Sequence, residues 1–369
     1  MNGLILCTNE CNLRCKYCFE ETMHEGCITP INEIRRKFDY FLDNYFDKFI
    51  RELIEINNGL NRRETDITFH GGEPLLIGYD LLKKGFDMVK KYPNTVLAIQ
   101  TNGTLINDDI IQLFADYKVR VGVSIDGPKY MHDAYRHNIS GKGSFDIVYR
   151  NIEKMREAGV LVGALATVTD ITVKNPTDFY MFFRNLNLDF SFNPCFTDPN
   201  LPSSYNSLNM GEFIEFYKKM FDLWVNDKEG KLSISCFERI LSAMSIKSRP
   251  WMEVCTYIPD CSRTTVAINP DGEFYRCLHY CMDRKNIIGE ISKDNLNIAL
   301  GDPVLSARWE CLKNTECKEC DIQEYCCGGC PYVAESVNGN AMTRSNTCLS
   351  QKAIVHYIYD YLKQFSKQK

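Results

Sequence analysis

From its first residues to about position 230 the chain alternates short β-branched or aliphatic runs with longer amphipathic ones, and this alternation restricts the fold more than any other feature. Strands that are separated by helices run in the same direction, so the pattern predicts repeated βα units and a parallel sheet. The expected strands are GLILC (3–7), TDITF (65–69), VLAIQ (96–100), VRVGVSI (119–125), LVGALATV (161–168) and LDFSFN (188–193). Six such units suit an open, partial (βα)6 barrel of the α/β class. Between the first two strands, INEIRRKFDYFLDNYFDKFIRELIEI is a helical pattern, with Thr29 as its expected cap and Pro30 in its first turn. Its aromatic stripe reads as core packing.

Beyond the sixth strand the pattern changes. MGEFIEFYKKMFDLWVND and CFERILSAMSI read as helices, after which cysteines crowd between residues 255 and 348. TTVAINPDGEFYRC is a hairpin that turns through Pro270, Asp271 and Gly272, and QKAIVHYIYDYLKQFSKQK is an amphipathic closing helix. The expected domains are therefore 1–230, a barrel; 231–254, a helical connection; 255–348, a cysteine-rich domain; and 349–369, the closing helix.

The 369 residues are enough for one large domain or two. A net charge of −5, with both signs mixed along the chain, marks no surface for a polyanion, so no nucleic-acid partner is expected. No basic, apolar targeting segment opens the chain, and no run approaches the roughly 18 apolar residues of a membrane span, so a cytoplasmic protein with no membrane partner is expected. The cytosol keeps thiols reduced, so the 18 cysteines read as metal ligands or reactive groups and not as a disulfide framework.

Three of them stand within eight positions, in CNLRCKYCFE: Cys11, Cys15 and Cys18. A structural zinc site takes four ligands, and the nearest candidate fourths, Cys7 and Cys27, lie outside the run. A 4Fe–4S cluster held by three thiolates keeps one iron open for a further ligand. The spacing C-x3-C-x2-C, with an aromatic before the last cysteine, resembles that of the radical S-adenosylmethionine (SAM) enzymes. In βα architectures such chemistry sits at the carboxyl ends of the strands. There the resemblance implies SAM contacts from Gly71, Gly72 and Glu73 in HGGEP, from Gln100 and Asn102 in QTNGTL, and from Ser124 in SIDGP. It implies that Glu73 meets the amino group of the methionine moiety. Arg136, in HDAYRH, is the cation expected to pair with the SAM carboxylate, bidentate geometry being the reason for arginine.

The carboxyl-terminal cysteines carry a second resemblance. Cys261 is followed after ten residues by Gly272 and after four more by Cys277; then come Cys317-x2-Cys320-x5-Cys326-x3-Cys330 and Cys348. This resembles the SPASM extension, which adds two auxiliary 4Fe–4S clusters to a radical SAM core. The implied pairing gives Cys255, Cys261, Cys277 and Cys330 to one cluster and Cys317, Cys320, Cys326 and Cys348 to the other, three clusters in all. On spacing alone, a pair of zinc ribbons is the alternative. The remaining cysteines, Cys7, Cys27, Cys195, Cys236, Cys281, Cys311 and Cys327, read mostly as buried apolar side chains, with hydrogen donation or substrate contact as the alternative for Cys281, Cys311 and Cys327, which lie near the auxiliary ligands in sequence.

The resemblance implies reductive cleavage of SAM to a 5'-deoxyadenosyl radical, which abstracts hydrogen from the substrate, with the auxiliary clusters taking up an electron. It implies a peptide or protein substrate and an electron donor such as flavodoxin or ferredoxin. No leader-recognition domain is expected ahead of the first strand. The candidate catalytic residues are Glu20, His279 and Cys281. In the sulfatase-maturase branch, the residue after the cysteine of the G-x4-C step is an aspartate that serves as the base; here it is Leu278, which accepts no proton. The expected reaction is therefore peptide crosslinking, oxidation or epimerisation. The alternatives are formylglycine formation in a sulfatase and small-molecule oxidoreduction, and, from outside enzymology, an iron–sulfur electron carrier or a zinc-stabilised scaffold.

Overall fold

The computed structural model describes residues 1–18, 29–195, 208–230, 232–245 and 261–366. Glu20, Cys27 and Cys255 lie outside them. In chain order the elements are β1 (Asn2–Leu6), α1 (Ile31–Phe41), α2 (Asp47–Gly59), β2 (Thr65–His70), α3 (Tyr79–Lys90), β3 (Thr95–Thr101), α4 (Asp108–Tyr117), β4 (Arg120–Ser124), α5 (Lys129–Tyr135), α6 (Phe145–Glu157) and β5 (Leu161–Val168). There follow α7 (Asp170–Lys174), α8 (Pro176–Leu186), β6 (Phe190–Pro194), α9 (Met210–Asn226) and α10 (Ser235–Ser245). The last third holds β7 (Thr265–Ile268), β8 (Glu273–Tyr275), β9 (Gly289–Glu290), α11 (Pro303–Asn314), α12 (Gln323–Cys326), α13 (Pro331–Asn338) and α14 (Cys348–Ser366). The chain divides into two compact units.

The first unit comprises residues 1–125, 132–164 and 262–302. Its strands run in the order β4-β3-β2-β1-β7-β8-β9. β1 to β4 are parallel neighbours, with Ile5 opposite Phe69, Ile67 opposite Leu97 and Gln100 opposite Gly122. Thr65, Ile67 and Phe69 alternate inward along β2 and Leu97, Ile99 and Thr101 along β3, the period-two burial of a sheet covered by helices. The covering layer is aromatic: Phe38, Phe46, Phe49, Phe86 and Phe114 are fully buried. Phe69 meets Phe86 edge-on at 5.1 Å and Phe46 at 6.0 Å, the arrangement ring quadrupoles favour.

Two local expectations are corrected. The run from Ile31 is not one regular helix, because a π-helical turn, Leu42–Phe46, separates α1 from α2. Phe41, Leu42 and Phe46, at and beside this turn, are all fully buried. Nor does Thr29 cap α1. Pro30 occupies the cap position without a side-chain hydrogen bond, and the Thr29 amide donates to Glu10 Oε1 at 3.0 Å.

The hairpin expected in the cysteine-rich segment forms, with Asn269 Oδ1 accepting the amides of Asp271 and Glu273 across its turn. Composition shifts at residue 255, but the hairpin belongs to the first unit: β7 pairs parallel with β1, Asn2 opposite Thr265 and Ile5 opposite Ile268.

The second unit comprises residues 126–131, 165–261 and 303–369. It has its own aromatic core, with Phe183 stacked on Phe190 at 4.1 Å and 15°. Phe192, Phe216 and Phe237 lie around them. α14 packs on α9, where the Tyr357 hydroxyl donates to Asp222 Oδ1 at 2.7 Å. Among the described residues no helix is long and apolar enough to cross a membrane.

Candidate active site

Beyond β1 the backbone continues beside the end of β2. The Cys7 amide donates to His70 O at 2.8 Å, Gly72 to Thr8 O at 2.8 Å and Glu73 to Glu10 O at 2.9 Å. This approach requires both glycines of HGGEP: a β-carbon at Gly71 would lie 2.3 Å from Thr8 O, and one at Gly72 2.3 Å from Glu10 O. The same contact delivers the chain to Cys11.

The loop bearing Cys11, Cys15 and Cys18 is held from two sides. On one, Asn102 Nδ2 donates to Asn12 Oδ1 at 2.9 Å and to Cys11 Sγ at 3.7 Å, and the Leu13 amide also reaches Cys11 Sγ, at 3.4 Å. On the other, the segment after α5 forms a short ladder: Arg14 N–H donates to His137 O at 2.7 Å and Lys16 N–H to Tyr135 O at 3.0 Å. The Arg136 guanidinium lies 5.3 Å from the ring centre of Tyr17, which also meets the Tyr135 ring at 5.7 Å. Arg136 is itself buried, and its carbonyl accepts from the Ser144 hydroxyl. The loop thus joins Asn102, from the end of β3, to Arg136.

Glu73 is fully buried. Its carboxylate accepts the Leu75 amide at 3.0 Å, the Thr101 hydroxyl at 2.7 Å and the Asn102 amide at 2.8 Å. In this structure, therefore, Glu73 ties the ends of β2 and β3 together and positions Asn102. Burial pushes its pKa up to about 7 against the pull of those three donors. Burial pushes neighbouring His70 down to about 4, so its ring is neutral at pH 7. Gln100 Nε2 donates to Ser124 Oγ at 3.2 Å across the ends of β3 and β4. Gly71, Gly72, Glu73, Gln100, Asn102, Ser124 and Arg136 all belong to the first unit, as do the three cysteines.

A pH dependence follows from Glu73. Its folded pKa lies above the unfolded value, so the folded state keeps a proton that the unfolded state releases. Stability is then lost as pH rises from about 4.5 to about 7. Relative to Glu73→Gln, the parent is expected to lose about 3 kcal/mol between pH 5 and pH 8. Chemical denaturation at the two pH values measures this, and an unchanged difference between parent and variant contradicts it.

Of the other candidates, His279 is exposed on the short 3-10 segment that follows β8, yet lies close enough to His70 to disfavour its protonation. Cys281 is buried, with Sγ donating to Cys277 O at 3.3 Å. Leu278 is half-buried, and Asp283, further along the same segment, pairs with Lys285. Beside Cys281 the sequence reading missed a buried pair, Tyr275 donating to Glu273 at 3.0 Å. The alternation of EFY marks a strand but not its polar contacts.

The carboxyl-terminal cysteines divide. Cys277 belongs to the first unit, and Cys261 and Cys330 to the second. Cys317, Cys320, Cys326 and Cys348 are all in the second unit. Cys317 is raised by burial and then by Cys320 and Cys348, and Cys326 is pushed up to about 12 by burial with added repulsion from Cys348, Cys327 and Cys317. Thiols that repel on ionisation suit a cationic iron centre that binds them as thiolates. Among the described residues the cysteines form no disulfide, and no three or more Cys, His, Asp or Glu close around a single metal ion. A cubane is less demanding in this respect, because each thiolate binds a different iron. The donor set fits such a cluster: thiols alone, with amide donors already aimed at Cys11 sulfur.

Residues 5–182 match the Radical SAM superfamily. A cysteine-type anaerobic sulfatase-maturating enzyme of Clostridium novyi is 30% identical over 370 residues, covering 95% of this chain and 94% of that protein. A serine-type anaerobic sulfatase-maturating enzyme of Bacteroides thetaiotaomicron is 29% identical, over 87% of this chain and 80% of the relative. In fold, the chain is similar to native anSMEcpe with bound AdoMet and Cp18Cys peptide, with TM-score 0.81 and 24% identity, over 100% of this chain and 99% of that one. It is also similar to Streptococcus suis SuiB bound to precursor peptide SuiA, with TM-score 0.65 and 16% identity, over 94% and 75%.

Proposed function

The chain belongs to the radical SAM superfamily, and from that membership we propose that it modifies a residue of a peptide or protein by hydrogen abstraction. The observation that carries this reading is the three-cysteine loop fastened to Asn102 on one side and to the Arg136 segment on the other. A 4Fe–4S cluster held there would supply the electron for reductive cleavage of SAM. The residues of the chain do the positioning. Cys11, Cys15 and Cys18 are the ligands, and the Leu13 amide and Asn102 Nδ2 hold the Cys11 sulfur in place. Gly71, Gly72, Gln100, Asn102 and Ser124 line the strand ends where SAM binds, and Glu73 fixes two of those ends. Arg136 takes the SAM carboxylate with its charge-assisted fork.

Cys255, Cys261, Cys277 and Cys330 are the ligands of one auxiliary cluster in this reading, and Cys317, Cys320, Cys326 and Cys348 those of the other. Flavodoxin or ferredoxin is the electron donor. Similarity to sulfatase-maturating enzymes over nearly the whole chain supports formylglycine formation. Leu278, where that branch has its base, favours another outcome at the peptide: crosslinking, a different oxidation or epimerisation. His279, beside His70, is the candidate acid or base, and Cys281 the candidate hydrogen donor. Glu20 remains a third candidate on sequence grounds.

The experiment is an anaerobic assay for 5'-deoxyadenosine with the reduced enzyme and SAM, comparing peptides with small metabolites. Peptides are expected to stimulate cleavage. Stimulation by metabolites alone overturns the peptide reading in favour of a small-molecule oxidoreductase.

A further inference from the structure

We propose that Arg308 is a positioning residue for the auxiliary clusters, clamping the loop 326–330 so that Cys326 and Cys330 face their separate iron sites. The inference rests on the cluster assignment above and adds a residue that is no ligand. Arg308 projects from α11, is 3% exposed, and spends its guanidinium on main-chain carbonyls. Nη1 donates to Cys327 O at 3.3 Å and Nη2 to Gly328 O at 2.9 Å; Nε donates to Ala341 O at 2.7 Å and Nη2 also to Thr343 O at 2.8 Å. One side chain therefore joins two loops: CCGGC, which carries Cys326 and Cys330, and the segment that leads into Cys348.

The loop needs such a clamp. Cys327, Gly328 and Gly329 all have positive φ, at 48°, 80° and 73°. For a cysteine this conformation is strained and persists only where its surroundings hold it. A β-carbon at Gly328 would stand 2.4 Å from Leu312 Cδ1 and 3.4 Å from Arg308 Nη1, so the loop lies flat against α11. The Ser345 amide donates to Gly328 O at 2.9 Å and completes the join. The left-handed run reverses the chain, so that two cysteines four positions apart serve different clusters. Lysine cannot replace this arginine: its ammonium has three donors at one point, whereas the planar fork spans acceptors on two loops.

The test reads iron and not turnover. With Cys11, Cys15 and Cys18 all changed to alanine, only auxiliary clusters remain, and about 8 iron per chain are expected. No iron in that background overturns the cluster assignment itself and leaves the clamp without an object. Adding Arg308→Met or Arg308→Lys is expected to lower iron per folded chain to half or less and to alter the electron paramagnetic resonance of whatever cluster is retained. A purely structural arginine would lower the melting temperature and leave both readouts alone. If Arg308→Met fails to fold by circular dichroism, Arg308→Lys decides. Full iron with the parental signal in either folded variant overturns the proposal.

Discussion

With Cys11, Cys15 and Cys18 all replaced by alanine, iron after anaerobic reconstitution is expected to fall from about 12 to about 8 per chain, and reductive cleavage of SAM to stop. The loss is expected to be complete because the three thiolates share one cluster in the proposed reading, and Cys7, nearest in sequence among the described thiols, is buried, which raises its thiol well above the ordinary value. Iron analysis and 5'-deoxyadenosine quantification check the two halves separately. Retained cleavage in the triple variant removes the loop from the chemistry, and unchanged iron removes it from cluster binding.

The second large effect is expected at Leu278. Given the reduced enzyme, SAM and a peptide with the motif Cys-x-Pro-x-Arg, the parent is expected to convert the cysteine to formylglycine poorly, and Leu278→Asp to do so 10²- to 10⁴-fold faster, the usual worth of a positioned base. The substitution is tolerable on structural grounds, since Leu278 is only half-buried and opens an irregular 3-10 segment. Mass spectrometry reads the loss of sulfur and the gain of an aldehyde. Efficient conversion by the parent that survives His279→Ala shows that neither residue governs the step. The sulfatase reading then stands with its base elsewhere.

Period and spacing made the main features legible from sequence. β-branched runs at 65–69 and 96–100 became β2 and β3 within a residue or so, because local burial alternates with the same period in both. What escaped depended on distance or on the interior. The parallel pairing of β7 with β1 joins residues some 260 positions apart, and a hairpin signal describes only its own turn. The π-helical turn Leu42–Phe46 leaves no mark in the apolar period, because the residues around it keep one buried face. Glu73 was legible as a carboxylate after a strand. That it would be sealed beneath Thr101 and Asn102 depends on the loop after β3 folding over it. Arg308 looked like any charge on a helix until its four carbonyl partners came together.

The place of β7 bears on synthesis. A chain emerging from the ribosome at about 5–20 residues per second exposes one side of β1 for roughly 13–50 s before Thr265–Ile268 arrives to cover it. Through that interval the first unit carries an open strand edge, a template for pairing between nascent chains. Slower translation before residue 265 prolongs that exposure, and faster arrival of β7 shortens it.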